Sequence, residues 1–368
     1  MNEKTQPCTH CGAVHPRVNL TWMGSAELCQ ECLQRYTVCC DCCGERIWMA
    51  NDYGTHYLHL CASCRADNYV TCENCGALIP QEDAHYNDED EAYCDSCYER
   101  GYGGTIHNYS YKPEPIFYGD GPLYLGVELE VDEAGKDNIN AVQALRAFNQ
   151  ENVYGYVKSD GSLNDGFELV THPCTLETHL QQVPWRETLE ALRGMGYRSH
   201  APGTCGLHVH VSRKALGKDV YEQEETIAKL LYIFERFWQE ILRFSRRTES
   251  QINHWAARYG YKDRGEEILK EAKHGANGRY ACINLTNTDT IEFRVFRGTL
   301  KYNTVIATLQ FVANLCRVAI SLPEYRIQEF SWPALIEALT QDNCPELVQY
   351  LKERNLYVNE PVTAEREV

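Results

Sequence analysis

Twelve cysteines between Cys8 and Cys97 are spaced as metal ligands. They form six Cys-x-x-Cys pairs, and pairs of the same kind recur every 32 or 33 residues. Two pairs make one repeat, and a glycine follows the first pair of each repeat. Four thiolates at this spacing suit a tetrahedral Zn²⁺ ion, and glycine lets the backbone turn tightly around it. We therefore predict three structural Zn²⁺ sites, with the ligands Cys8, Cys11, Cys29 and Cys32; Cys40, Cys43, Cys61 and Cys64; and Cys72, Cys75, Cys94 and Cys97.

A disulfide scaffold is the alternative interpretation of these cysteines, but such scaffolds are typical of small secreted domains. The first residues lack the apolar core of a signal peptide, so nothing in the sequence favours secretion. Cys39 and Cys42 stand outside the repeat and could shift the middle site by one residue. The repeat period and Gly44 favour Cys40 and Cys43. A cross-braced pairing between neighbouring repeats stays open, because sequence does not fix connectivity.

The rest of the chain carries charged residues on segments that alternate like β-strands. Glu128 and Glu130 lie two residues apart, so they project from one face of a strand. Two adjacent carboxylates repel each other unless a cation lies between them, and oxygen ligands suit Mg²⁺ or Mn²⁺. His208 and His210 have the same spacing, as ligands of a metal or a phosphate would. The alternatives are a solvated strand face for the acids and ordinary core packing for the histidines.

Further charged residues lie on three other segments. Glu292 and Arg294 would share a strand face, which a structural salt bridge would also require. Taken together, the acids could gather divalent cations that bridge nucleotide phosphates, while the arginines neutralise the transferred phosphoryl group. No glycine-rich P-loop or kinase loop is present in the sequence. The candidates on these segments are Asp160, Glu168, Arg279, Glu292, Arg294 and Arg297.

The order of these motifs resembles that of a known family. Gly-x-Glu-x-Glu, Glu-Leu-Val-Thr, Gly-x-His-x-His-x-Ser, Arg-Tyr-Ala-x-Ile-Asn and Ile-Glu-x-Arg are similar to motifs of the glutamine synthetase and glutamate–cysteine ligase superfamily of carboxylate–amine ligases. Within it, the segments 111–117 and 292–300 look like those of the amidoligases found in bacterial and bacteriophage genomes. The resemblance covers residues 105–325. It implies an α+β fold with a curved antiparallel sheet that holds ATP and Mg²⁺ or Mn²⁺.

The resemblance also implies a role for each candidate residue. The residues similar to metal ligands of the family are Glu128, Glu130, Glu168, His208 and Glu292. The residues similar to its nucleotide- and phosphate-binding groups are His210, Arg279, Arg294 and Arg297. Asp160 has no counterpart in glutamine synthetase, and we expect it to orient or deprotonate the amine.

The implied activity is ATP-dependent formation of an amide bond through an acyl phosphate. Its carboxylate or amine substrate could be a protein or peptide, because the large cysteine-rich module suggests docking of something bigger than an amino acid. Two alternatives stay open. The same fold hosts phosphotransferases, and the chain could also be a non-catalytic zinc-containing adaptor for protein interactions.

The sequence predicts four consecutive parts. They are the zinc repeats over residues 1–101, a linker over 102–121, the catalytic domain over 122–325 and a C-terminal helical segment over 326–368. The fold class is therefore α+β, with a small zinc-stabilised domain before an antiparallel-sheet domain. Apolar alternation predicts strands over 123–131, 166–171, 206–212, 280–285 and 290–296. Helical spacing predicts helices over 138–149, 175–194, 223–246, 304–321 and 332–340, and one more from Pro345.

The composition excludes several functional classes. The 368 residues have a net charge of −17, which disfavours binding to nucleic acid or to anionic membranes. Residues 1–105 alone carry 6 basic and 16 acidic side chains, so a nucleic-acid-binding zinc module is not expected. No apolar run of the roughly 20 residues that a membrane span needs stands out. We therefore expect a cytoplasmic protein with no membrane partner.

Overall fold

The computed structural model describes residues 5–87, 90–99, 104–274 and 278–357. The chain divides into two compact units, residues 1–104 and residues 105–368. Of the linker predicted over 102–121, residues 102–103 lie outside the described residues, and residues 105–121 belong to the second unit. Ile106–His107 pairs with Gly155–Lys158, and the Tyr118 amide donates to the Pro173 carbonyl at 3.0 Å. Parts of the predicted zinc domain (1–4, 88–89, 100–101) and of the C-terminal segment (358–368) lie outside the described residues.

The first unit is built from three copies of one small motif. In each copy a short antiparallel hairpin holds the first Cys-x-x-Cys pair in its loop, and a helix starts beside the second pair. Gly12, Gly44 and Gly76 have φ of +74°, +75° and +70°, which confirms that glycine is needed at this turn. Their amides donate to the carbonyls of the first cysteine of each pair at 2.8–2.9 Å.

The bounds of these elements follow the repeat. The hairpin strands are Thr5–Pro7 with Val14–Pro16, Leu20–Met23 with Ala26–Cys29, Thr37–Cys39 with Arg46–Trp48, Tyr69–Thr71 with Leu78–Pro80, and His85–Tyr86 with Ala92–Tyr93. The helices are Gln30–Tyr36, Ala62–Asn68 and Asp95–Glu99, and the 3-10 turns are Arg17–Asn19, Met49–Asn51 and Gln81–Asp83.

An eight-stranded, largely antiparallel sheet organises the second unit. Its strands, numbered within this unit, are β1 (Ile106–His107), β2 (Tyr124–Val131), β3 (Gly155–Lys158), β4 (Phe167–Thr171), β5 (Cys174–Thr175), β6 (Gly206–Ser212), β7 (Ile283–Asn284) and β8 (Thr290–Arg297). Their order is β1-β3-β4-β2-β6-β8-β7, and β5 also pairs with β2. Only the contact between β1 and β3 among these pairs is parallel. The predicted α+β class with an antiparallel sheet is therefore confirmed.

The helices of the second unit cover one face of this sheet. They are α1 (Asn138–Phe148), α2 (Leu176–Gln181), α3 (Trp185–Gly194), α4 (Val220–Arg236), α5 (Trp238–Ser245), α6 (Glu249–Trp255), α7 (Gly265–His274), α8 (Tyr302–Ser321), α9 (Glu324–Gln328), α10 (Trp332–Leu339) and α11 (Pro345–Glu353). The predicted helix over 175–194 is two helices, because Pro184 cannot continue the first. The predicted helix over 223–246 is also interrupted, at Phe237, whose ψ of 34° is not helical.

The long helix α8 is the centre of the core. It is apolar and long enough to cross a membrane by composition, which the prediction from sequence had passed over. However, 83% of its most apolar window is buried inside the protein. Its side chains pack with those of the sheet and of α4, and Phe311 stacks on Phe244 of α5 at 4.3 Å between ring centroids. Such burial is typical of a core helix, and a cytoplasmic location stays a prediction.

A β-bulge in β8 changes which side chains face the core. Leu207 pairs with Phe296 and Val209 with Phe293, so β8 has one residue more than β6 between these two pairs. Val295 and Phe296 are consequently both buried in the core, although they are adjacent in sequence. The bulge returns Arg297 to the face that carries Glu292, five residues earlier, where a regular strand would separate them.

The Gly166 position should tolerate no side chain, because the end of β2 passes directly over it. A Cβ at this residue would lie 1.9 Å from the Val131 carbonyl oxygen and 2.8 Å from the Asp132 Cα. We expect Gly166→Ala to destabilise the second unit by about 1–3 kcal/mol or more, since both neighbours are backbone. Gly161→Ala is the matched control, because a Cβ there meets nothing within 4 Å. Urea midpoints followed by circular dichroism would compare them, and equal midpoints would contradict the expected clash.

Candidate functional site

The four sulfurs of each predicted zinc site lie together in the first unit. All ligand atoms of a cluster are within 4.8 Å of one another, and the clusters comprise the twelve predicted cysteines in the predicted combinations. Cross-bracing between repeats is therefore excluded, and the middle cluster uses Cys40 and Cys43 rather than Cys39 and Cys42. Cys39 and Cys42 are exposed.

The spacing of the sulfurs fits a metal and not a disulfide. Cys11 and Cys29 have their sulfurs 3.9 Å apart, and Cys43 and Cys61 have theirs 3.8 Å apart. A disulfide bond would need about 2.05 Å. With a Zn–S bond of about 2.3 Å, the edge of a tetrahedron is about 3.8 Å. The clusters therefore have the donor type and spacing that Zn²⁺ requires.

Backbone amides stabilise the thiolates of these clusters. The Cys29 amide donates to the sulfur of Cys8 at 3.3 Å, and the Cys64 amide donates to that of Cys61 at 3.4 Å. In the middle cluster the amide hydrogen bond from Cys61 lowers the pKa of Cys40 to about 6. Hydrogen bonds to the charged form of a thiol favour that form, which is the one that binds a metal.

The predicted carboxylates and histidines of the second unit also meet, on the face of the sheet away from the core. Strand β2 lies between β4 and β6, and the register places Glu130 opposite Glu168 and Glu128 opposite His208. Strand β8 pairs with β6 so that Glu292 lies opposite His210. Strands β4 and β6, which flank β2, and strand β8, which pairs with β6, therefore bring these side chains into one cluster.

The side chains of this cluster form two groups with metal-ligand spacing. Glu128, His210 and Glu292 form one group, and Glu128, Glu168 and His208 form the other. Glu128 belongs to both: one of its carboxylate oxygens lies 3.1 Å from His210 Nε2 and the other 3.2 Å from His208 Nδ1. His210 joins the first group although it was predicted to contact the nucleotide.

Glu130 is buried beside the two groups but belongs to neither. It accepts a hydrogen bond from the Gly206 amide, and its other oxygen lies 3.9 Å from His208 Nε2. A Cβ at Gly206 would lie 2.3 Å from the same imidazole nitrogen, so glycine leaves room for the ring. This arrangement differs from the predicted ligand set, in which Glu130 was a metal ligand.

Electrostatic repulsion is strong inside the cluster. Burial is the largest influence on Glu168 and raises its pKa, and repulsion from Glu128 helps to hold that pKa well above its usual range. Burial acts on Glu128 in the same sense, but His210 and His208 outweigh it and hold the pKa of Glu128 well below its usual range. Buried carboxylates this close together need a cation to remain charged.

Among the predicted arginines, Arg294 contacts the cluster directly, and Asp160 lies close enough to Glu168 to repel it. Arg294 donates to a carboxylate oxygen of Glu292 and is largely buried. Arg279 is exposed, and its guanidinium lies 5.0 Å from the ring centroid of Tyr280. The guanidinium of Arg294 lies 6.0 Å from the same centroid. Asp160 accepts hydrogen bonds from the amide and the hydroxyl of Ser162, which fixes the turn between β3 and β4.

Several residues that contact the cluster were not predicted from the sequence. Lys158 lies opposite Glu168 in the β3–β4 hairpin, with its Nζ 3.4 Å from a carboxylate oxygen. Asn284 donates to Glu292 at 2.8 Å, and Thr290 lies 3.2 Å from His210 Nδ1. The turn at Asp160-Gly was a signal for the hairpin and hence for Lys158. Asn284 and Thr290 carried no such signal.

Zinc analysis can test the register of the middle cluster. We expect three zinc ions per chain, measured by mass spectrometry of the metal content after dialysis. Cys43→Ser should reduce the count to two, because a tetrahedral site loses one of its four ligands. Cys39→Ser is the matched control, since Cys39 is also exposed but lies outside the cluster. The opposite result for the two variants would show that Cys39 and Cys42 hold the metal.

Comparison with known proteins gives one family and one structural likeness of interest. Residues 146–316 match the family model described as "Putative amidoligase enzyme". No curated protein matches the chain. Among solved structures, a bifunctional glutathione synthetase from Pasteurella multocida is similar with 15% identity and a TM-score of 0.31. The match covers 63% of this chain and 46% of that one, and at this TM-score it carries no argument about fold or function.

The matched residues include β4, β6, β8 and most of α8, and hence Glu168, His208, His210 and Glu292. They begin after β2, which supplies Glu128 and Glu130. The cysteine-rich unit lies outside the match. Residues 146–316 of this chain are therefore similar to the amidoligase family, which confirms the resemblance seen in the sequence.

Proposed function

We propose that the second unit is an ATP-dependent carboxylate–amine ligase. The observation that carries this proposal is the pair of three-residue groups that share Glu128, with Arg294 and Lys158 beside them. The family match supports amide-bond formation in general. We infer ATP and the divalent metal from the charges of the site, and the acyl-phosphate route from the resemblance to carboxylate–amine ligases.

The two groups fit Mg²⁺ or Mn²⁺ by their donor atoms. Each offers two carboxylates and one imidazole, so the ligands are mainly hard oxygens with one nitrogen. Three protein ligands leave other coordination positions for water or phosphate oxygens. Bound there, the ions would polarise phosphate oxygens and neutralise the charge that develops during phosphoryl transfer. The residues that would hold them are Glu128, Glu168, His208, His210 and Glu292.

Cationic side chains around the cluster would bind the phosphates of ATP. Arg294 reaches the site from β8, and its fixed contact with Glu292 orients the guanidinium. Arg279 is exposed, and the hydroxyls of Tyr109 and Tyr280 accept its hydrogen bonds. Lys158 stays positively charged, because burial lowers its pKa less than the nearby Glu168 and Glu128 raise it. Such groups stabilise charge on a phosphoryl group that is being transferred.

The proposed reaction has two steps. An oxygen of the substrate carboxylate attacks the γ-phosphorus of ATP, so an acyl phosphate forms and ADP leaves. The nitrogen of the amine then attacks the acyl carbon, the C–O bond to phosphate breaks, and inorganic phosphate leaves. The amine must lose one proton in this second step. Asp160 is our candidate to accept it, because its carboxylate is held by Ser162 close enough to Glu130 and Glu168 to repel both.

The cysteine-rich unit would serve this enzyme as a docking module. Its cores are very small: the middle repeat buries Leu60 with Cys40, Cys61 and Cys64. A repeat with so small a core folds stably only with additional cross-links such as metal ions. Its strongly acidic composition favours a basic protein or peptide over a nucleic acid as a partner. A protein or peptide would then be one of the two substrates.

Hydroxylamine can replace the amine and report the acyl phosphate. We expect hydroxamate when the full chain receives ATP, Mg²⁺, hydroxylamine and pooled carboxylic acids or peptides. Glu128→Gln should lower the rate by about 100-fold or more, because it weakens both ligand groups. Glu187→Gln, on the exposed side of α3, is the control and should keep the wild-type rate.

The products separate this proposal from its alternatives. ADP together with a phosphorylated acceptor and no hydroxamate would favour a phosphotransferase. Absence of ATP binding by the wild-type chain, measured by calorimetry with Mn²⁺, would contradict both enzymes and favour the adaptor. Hydroxamate formation that Glu128→Gln leaves unchanged would contradict the proposed site.

The shared carboxylate also makes a prediction about metal stoichiometry. We expect the wild-type second unit to bind two Mn²⁺ ions, counted by electron paramagnetic resonance with the full chain reconstituted with zinc. Glu292→Gln and Glu168→Gln should each remove one ion, because each residue belongs to one group. Glu128→Gln should remove both. Loss of a single ion in Glu128→Gln would show that the two groups do not share this ligand.

A further inference from the structure

A cavity of about 620 Å³ in the second unit has eighteen lining residues, of which six are basic and two are acidic. Its basic residues are Arg186, Arg193, Arg198, Arg246, Lys301 and Arg354. Two acids, Glu190 and Glu353, also line it, and Glu353 pairs with Lys301 at 2.8 Å. The basic side chains in this cavity have the opposite sign to the net charge of the whole chain, which is −17. The volume is that of a site for a small-molecule ligand.

One wall of the cavity contacts the backbone at the ends of β2 and β8. Ser199 lines the cavity, and its hydroxyl donates to the backbone carbonyl of Glu130 at 2.7 Å. Arg246 lines it from the end of α5 and donates to the backbone carbonyls of Arg297 and Gly298. The cavity therefore adjoins the ends of β2 and β8, the strands that carry Glu130 and Arg297.

The backbone at Arg246 is unusual. It has φ of +65°, in the left-handed region that glycine normally occupies after a helix. An arginine held there is strained, and such strain is retained where the side chain has a function. Its conformation brings the guanidinium to the wall of the cavity, within 3.3 Å of His200 Nδ1.

Several buried arginines near Arg246 have an unsatisfied hydrogen-bond donor, although only Arg246 among them lines the cavity. Among the described residues, the buried Nε atoms of Arg246, Arg247, Arg294 and Arg297 have no hydrogen-bond partner. Arg247 is only 7% exposed. Its burial, together with repulsion from the neighbouring arginines, lowers its pKa to about 10. Guanidinium groups this close together favour a bound anion with several charges.

We propose that this cavity binds a small polyanion with carboxylate or phosphate groups, and that this polyanion is the acid substrate of the ligase. The binding of the polyanion rests on the cavity alone, whereas its role as substrate rests on the proposed function. One anionic group would lie among the arginines of the cavity. A second, a carboxylate, would extend past Arg297 to the carboxylate–histidine cluster and react there. The substrate class is therefore a di- or tricarboxylate, or a phosphorylated carboxylic acid.

Calorimetry with two probes tests the binding. Tricarballylate supplies carboxylates and inorganic tripolyphosphate supplies phosphates, each titrated into the full zinc-loaded chain without added divalent metal. The double variant Arg193→Gln/Arg198→Gln should bind the preferred probe at least about tenfold more weakly, because two charge-assisted contacts are lost. Arg193→Lys/Arg198→Lys should recover most of the affinity. Both arginines are exposed, so the fold should not depend on them.

Two controls locate the binding. Arg326→Gln removes an exposed arginine that pairs with Glu329 and does not line the cavity, and this variant should bind like the wild type. Glu128→Gln should also bind like the wild type, because it changes the cluster and not the cavity. Tighter binding of one probe identifies carboxylate or phosphate as the anion. No binding of either probe, equal binding by the double variant, or loss only in Glu128→Gln would each overturn the proposal.

Activity then tests the role as substrate. In the hydroxamate assay the double variant should raise the KM of a dicarboxylic acid about tenfold and leave kcat and the KM of a monocarboxylic acid unchanged. If the wild type forms no hydroxamate but binds a probe in the cavity, the proposed ligase fails and the polyanion site stands. If hydroxamate forms but the double variant leaves every KM unchanged, the ligase stands and the substrate role fails.

Discussion

Repulsion between buried carboxylates is the constraint on which the second unit depends. Glu130 and Glu168 face each other across β2 and β4, and Glu128 lies two residues from Glu130 on the same face of β2. These carboxylates would move apart if the backbone allowed it. The hydrogen bonds of five antiparallel strands, with the packed helices beneath, hold the carboxylates in place. The core therefore supplies the free energy that keeps a charged cluster assembled, as is typical of functional sites.

The first unit solves the opposite problem, since it has almost no apolar core. Its three clusters bury a few leucines and one tyrosine with the cysteines. Thiolates that repel one another are drawn together by backbone amides and, in our proposal, by Zn²⁺. In both units like charges are concentrated at positions that strand register or turn geometry fixes. A cation is the common element that would relieve the repulsion.

Sequence predicted most of what depends on regular spacing. The cysteine clusters followed from a fixed period, and the strands with Glu128, His208 and Glu292 followed from alternation. The break at Pro184 was visible in the sequence and was passed over, whereas the break at Phe237 has no local signal. Strand β3 is too short to show a pattern. Arg246 and Arg247 reach the site from the end of a helix, so only the tertiary structure brings them there.

The bulge in β8 sets the spacing between the charged residues of that strand. Because two consecutive residues, Val295 and Phe296, both face the core, Glu292 and Arg297 share a face at an odd interval of five residues. A strand without the bulge would need an even interval, such as four residues, to keep this arginine on the same face. An alignment that matches relatives by strand alternation alone would place this arginine out of phase. The odd spacing is therefore itself a marker by which chains with the same site geometry can be recognised.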